Sequence, residues 1–74
     1  MKDVYAQWDA LCKEYQEAHD AHFKAFATVT SGFARVANGT GGNPSDQELT
    51  EFEDTWARLE EIRKRMDEFV SANT

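Results

Sequence analysis

The chain has little of what most functional classes require. Its 74 residues include one cysteine, Cys12, so no intramolecular disulfide can form and a reducing, cytoplasmic setting is expected. No apolar run reaches the length of a membrane span or signal peptide, and the chain opens Met-Lys-Asp, so no membrane partner is expected. Lys and Arg number 8 against 14 Asp and Glu, a formal charge of −6. That balance repels bare phosphate backbones, and nucleic acid is not an expected partner. Gly-rich phosphate loops, nucleophile elbows and the Glu-x-x-His pattern of di-iron bundles are all missing, so neither an enzyme nor a cofactor is expected.

What the chain does contain is helical patterning. The apolar fraction is 41% and the charged fraction 30%, the balance of a folded, charge-rich helical protein, and 74 residues suffice for one small domain, 1–74. From Tyr5, larger residues recur in steps of three and four: Tyr5, Trp8, Cys12, Tyr15, His19, His22, Phe26, Val29, Phe33 and Val36. Such steps keep side chains on one helical stripe. Leu11, Ala18, Ala25 and Gly32 flank that stripe on one side and Phe23 on the other, so the buried face is expected to be wider than a minimal seam. The small residues let a neighbouring helix come close. The run Thr28-Val29-Thr30-Ser31-Gly32 has the lowest helix propensity, so a kink or break can occur in it.

A first helix is therefore predicted over about 3–38, closed by Arg35 near its end and by Gly39 in a left-handed conformation. Residues 39–44 form a glycine-rich turn. Ser45 with Glu48 makes a capping box, with Pro44 placed to pack on Leu49 as a staple. A second helix over about 45–72 then presents Leu49, Phe52, Trp56, Leu59, Ile62, Met66, Phe69 and Val70 on one face. Its other face pairs Glu60 with Lys64, Glu61 with Arg65 and Lys64 with Glu68. The expected fold is thus all-α, an antiparallel two-helix hairpin.

With the turn centred near Gly41 and Gly42, facing residue numbers should sum to about 85. Val36 then meets Leu49, Phe33 meets Phe52, Val29 meets Trp56, Phe26 meets Leu59, His19 meets Met66 and Tyr15 meets Val70. Tyr5 and Trp8 are left without an intramolecular partner. Two helices also leave the flanks of each stripe wet, so the hairpin is expected to pair with another chain, most simply as a homodimeric four-helix bundle with the first helices packed along each other. The expected interface comprises Tyr5, Trp8, Cys12, Tyr15, His19, His22, Phe26 and Trp56, with Tyr5 and Trp8 as the binding hot spot for a copy of the chain or a different protein.

Three constellations carry alternative chemistry. His19 and His22, three apart, could hold a metal with Cys12, Asp20 or a twofold mate; the commoner role of such a pair is a polar layer that sets register, and its protonation would make association pH-sensitive. Cys12 reads as a small buried hydrophobe rather than a nucleophile. Arg63-Lys64-Arg65 is the one basic run, offset by Glu60, Glu61, Asp67 and Glu68. Finally, Pro44-Ser45-Asp46 and the amphipathic helix after it resemble, over those few residues, the turn of type III secretion needle subunits, which are also short helical hairpins. The glycines before them depart from that pattern. Small acidic secretion co-chaperones are similar in overall shape. These likenesses imply a structural or co-chaperone role in a secretion apparatus.

Overall fold

The computed structural model describes residues 3–74; Met1 and Lys2, part of the single domain expected from the sequence, lie outside them. Two helices, α1 (Val4–Ala37) and α2 (Asp46–Ala72), pack against each other as a hairpin of 60 × 17 × 14 Å. None of the described residues belongs to a helix long and apolar enough to cross a membrane.

Local chemistry sets each helix end. Asp3 caps α1 by accepting from the Ala6 amide at 3.1 Å. At the other end Gly39 takes φ +69°, where its N–H donates to the Val36 carbonyl at 3.1 Å and the Thr40 N–H donates to the Arg35 carbonyl at 2.9 Å. This pair of backward bonds satisfies carbonyls that the helix leaves unpaired, and only glycine reaches that φ without strain. α1 runs unbroken through Gly32, so the weak propensity of its surroundings is overridden by packing.

The α2 start is a complete capping box. Ser45 Oγ accepts from the Glu48 amide at 3.1 Å, and Glu48 Oε1 accepts from the Ser45 amide at 2.9 Å. The backbone N–H of Ser45 lowers the Glu48 carboxyl below its ordinary value, the Ser45 side chain adds to the effect, and Arg35 contributes a smaller attraction. A lowered folded-state value means the charged form stabilises the fold above the ordinary glutamate range, near pH 4.3, and that stabilisation is lost as pH falls through the lowered value. Thermal melts of Glu48→Gln and the native chain should therefore differ more at pH 7 than at a pH well below the ordinary glutamate range. An equal gap at both pH values would remove the carboxylate from the cap.

The register departs from the symmetric expectation. His22 faces Thr55, Trp8 faces Phe69 and Glu14 faces Arg65, so facing numbers sum to about 77 by helix geometry rather than 85. None of the six cross-helix pairs expected from a centred turn is the pairing seen here. Pro44 supplies the cause. It is buried against Gly32, where an added Cβ would come within 2.6 Å of Pro44 Cγ. After Ala37 the chain thus doubles back beside α1 before α2 begins, leaving Phe33–Ala37 as an overhang. Pro44 packs on Gly32, a role the staple reading assigned to Leu49.

Gly32→Ala would ordinarily stabilise a helix interior by about 1 kcal/mol. Here the proline ring, held by its own backbone, leaves no room for a methyl group. Overpacking of this kind costs about 1–3 kcal/mol, so a net loss with a thermal midpoint several degrees lower is expected. An increased midpoint in calorimetry would show that Pro44 moves away freely.

The core is thin. Ala18, Leu59 and Ile62 form its centre, with Tyr15 and Met66 packed on it, and Ala25 and Pro44 are buried nearer the turn. On α1 the inward row is Trp8, Leu11, Tyr15, Ala18, His22, Ala25, Val29 and Gly32, a file of large and small residues. The stripe expected from residue size is therefore rotated: Trp8, Tyr15, His22 and Val29 lie on the inward row, Tyr5, Cys12, His19, Phe26 and Phe33 form the adjoining row, and Phe23, expected on the buried face, is turned further out and exposed. Close helix approach favours the small residues over the bulky ones.

Candidate interaction surface

The two long sides of the hairpin differ in chemistry. On one side Arg65 Nη2 donates to Glu14 Oε2 at 2.7 Å, and Arg58 stands 3.9 Å from Glu17. Three of these side chains are about half exposed and Glu17 is mostly exposed, so each pair contributes no more than about 1 kcal/mol. Arg65 thus crosses to α1 in preference to the expected Glu61 four residues back, and Arg63 lies 3.9 Å from Glu60. The basic run is partly neutralised by these two carboxylates.

The opposite side is apolar. Residues seven apart share a helix face, and here the row Tyr5, Cys12, His19, Phe26 and Phe33 on α1 runs beside Leu49, Trp56, Arg63 and Val70 on α2. Contacts across the hairpin tie the rows together: the Phe26 and Phe52 rings are 6.3 Å apart, and Trp56 packs on His22 at 5.2 Å. At the open end Val4, Tyr5, Trp8, Phe69 and Val70 line an open hollow of about 220 Å³. Phe26 and Trp56 are each 51% exposed and Tyr5 87%. The row holds no carboxylate, and Arg63 is its one permanently charged member.

The eight residues singled out from sequence divide accordingly. Tyr5, Phe26 and Trp56 are exposed, and Cys12 is half-buried at the edge rather than on the inward row. Tyr15 packs on the core. Trp8, expected to lack an intramolecular partner, is half-buried with its ring 5.7 Å from that of Phe69. The eight-residue shift in register explains the correction, because it brings Phe69 down to the level of Trp8.

The two histidines occupy different surroundings. His19 is mostly exposed, stacked on Tyr15 at 6.3 Å with Nδ1 4.0 Å from Asp20 Oδ1. His22 sits in the interhelical layer beside Phe52 at 4.9 Å, with Nδ1 3.0 Å from Thr55 Oγ1. Thr55 Oγ1 is also 2.8 Å from the Glu51 carbonyl and 3.0 Å from that of Phe52. A hydroxyl has one proton, which the backbone carbonyls take, so His22 Nδ1 must be the donor to Thr55. Among the described residues no group of three or more His, Cys, Asp or Glu is placed to hold a metal ion. Thr55 was not legible as a site residue; a polar residue three before Arg58 on a charged helix carries no signal until the register brings it to His22.

Comparison of the chain with protein-family models, curated proteins and solved structures finds no match.

Proposed function

We propose that the chain is a non-enzymatic protein–protein interaction module that self-associates through its apolar side into a four-helix bundle. The observation that carries this reading is the one-sided row of exposed aromatics, Tyr5, Phe26, Phe33 and Trp56, set against an ion-paired reverse side. Contiguous apolar surface of that kind marks interaction sites in folded proteins.

Area supports a partner of substantial size. The chain exposes 5686 Å², whereas a compact monomer of its mass exposes about 4,600 Å². Its radius of gyration is 16.9 Å against about 11 Å for a compact domain of this length. The excess, roughly 1,100 Å², is comparable to the ~800 Å² that each partner of a standard interface buries. A second copy meets that need without any other component, and the absence of carboxylates from the row lets two chains of net charge −6 meet there. As a bundle, the protein would act as an adaptor, regulator or chaperone-like scaffold, held in the cytoplasm.

Light scattering tests the reading. The pure native chain should run at twice its 8.4 kDa mass at micromolar concentration. A mass of one chain up to millimolar concentration, with tryptophan emission typical of solvent-exposed indole, rejects self-association.

A further inference from the structure

We infer that the second copy docks with both turns at the same end of the bundle, so that α1 of each chain lies against α2 of its mate. The inference rests on the self-association proposed above and adds its geometry.

Two twofold arrangements can cover the apolar side. In one, the turns lie at opposite ends, with α1 on α1 and α2 on α2. In the other, the turns lie together and each α1 faces the partner's α2. Neighbouring helices are antiparallel in both, so helix dipoles do not decide between them.

The borders of the apolar side do. Along α2 the row just outside Leu49, Trp56 and Arg63 is Asp46, Glu53, Glu60 and Asp67, all carboxylates. Along α1 the corresponding row is Asp9, Gln16, Phe23 and Thr30, with a single carboxylate that already pairs with Lys13 at 3.1 Å. Turns at opposite ends would bring two all-carboxylate borders face to face, and like charges in such rows repel. Turns together set each acidic border against the nearly neutral one.

Register strengthens the match. A twofold axis parallel to the helices keeps every residue at its own level, and facing numbers sum to about 77 on this hairpin by its helical rise. Glu60 then comes level with Gln16 of the mate, Asp46 with Thr30, Glu53 with Phe23, and Asp67 with Asp9, the one like-charged pair, where Lys13 already offsets Asp9. The first two are acceptor-to-donor pairs. The same arrangement brings Phe26 and Trp56 of both copies into one aromatic cluster between mid-length and the turn, where each chain alone leaves them about half exposed.

The lone native cysteine makes a clean labelling experiment available. In a Cys12→Ser background, Thr40→Cys in the exposed turn takes a nitroxide, and a second variant takes it at Thr74→Cys at the open end. Pulsed dipolar spectroscopy on the dimer should give a short distance, about 20 Å, from both variants, since neighbouring helices lie roughly 10 Å apart. Turns at opposite ends would separate each pair of labels by about 50 Å, the rise of some 34 helical residues. A dimeric mass with the long distance overturns this geometry and leaves the proposed function standing. A monomeric mass for the unlabelled native chain overturns both, including the case in which only a foreign protein covers the row.

Discussion

Replacing Phe26 or Trp56 with glutamate is expected to reduce the light-scattering mass from that of the proposed dimer to that of one chain, 8.4 kDa. Each ring is half exposed in the hairpin and stands outside the central cluster of Ala18, Leu59 and Ile62. A charge at either position therefore leaves most intrachain packing intact, and helical circular dichroism should persist near 25 °C. Across the proposed twofold interface the same charge would be buried twice. Loss of an aromatic anchor typically costs about 2–4 kcal/mol of association, a rise in Kd of roughly 30- to 1000-fold. A variant that keeps its dimeric mass would place the contact elsewhere on the molecule.

Ile62→Ala should act on the fold itself. Ile62 is 2% exposed, and the cluster it shares includes Ala18, a residue too small to swell into the space a lost side chain leaves. Truncating a buried isoleucine costs about 2–5 kcal/mol, more where the surroundings cannot collapse. Against the few kcal/mol available to a chain of this size, a fall in thermal midpoint of about 15 °C or more is expected. A melt shifted by only a degree or two would mean that the cluster contributes little and that stability resides in the contact between copies. The two substitutions thus separate folding from assembly.

Helix number, extent and the two caps that flank the turn were legible in the sequence because each rests on local chemistry. Ser45 and Glu48 are three apart, Gly39 follows the last periodic residue of the first helix, and both signals are read within one helical turn. The inward face of α1 was legible only in part. Large residues mark burial by area, yet two helices approach most closely where side chains are small, so Ala18, Ala25 and Gly32 lie inside and Phe26 and Phe33 do not. On α2 the reading was nearer: Phe52, Leu59, Ile62, Met66 and Phe69 all face inward or partly inward. Trp56 and Leu49 instead stand at the edge.

Register was the least legible feature, since it depends on one nonlocal contact. The fit of Pro44 against Gly32 cannot be read from the spacing of apolar residues along either helix. That contact moves every cross-helix pair by about two turns and decides which aromatic residues find a home within the chain. Trp8 gains Phe69 by it, and Phe33 and Val36 lose the partners a centred turn would have supplied.

The Glu14, Glu17, Arg58 and Arg65 side has a consequence for how far assembly can proceed. A rod that is adhesive along both edges polymerises, because each added subunit presents a fresh surface to the next. This one carries its row of exposed aromatics along a single edge, and its back is wetted by ions that water holds strongly. If the copies pair as proposed, growth terminates once that edge is covered, and the expected product is a closed particle rather than a fibre.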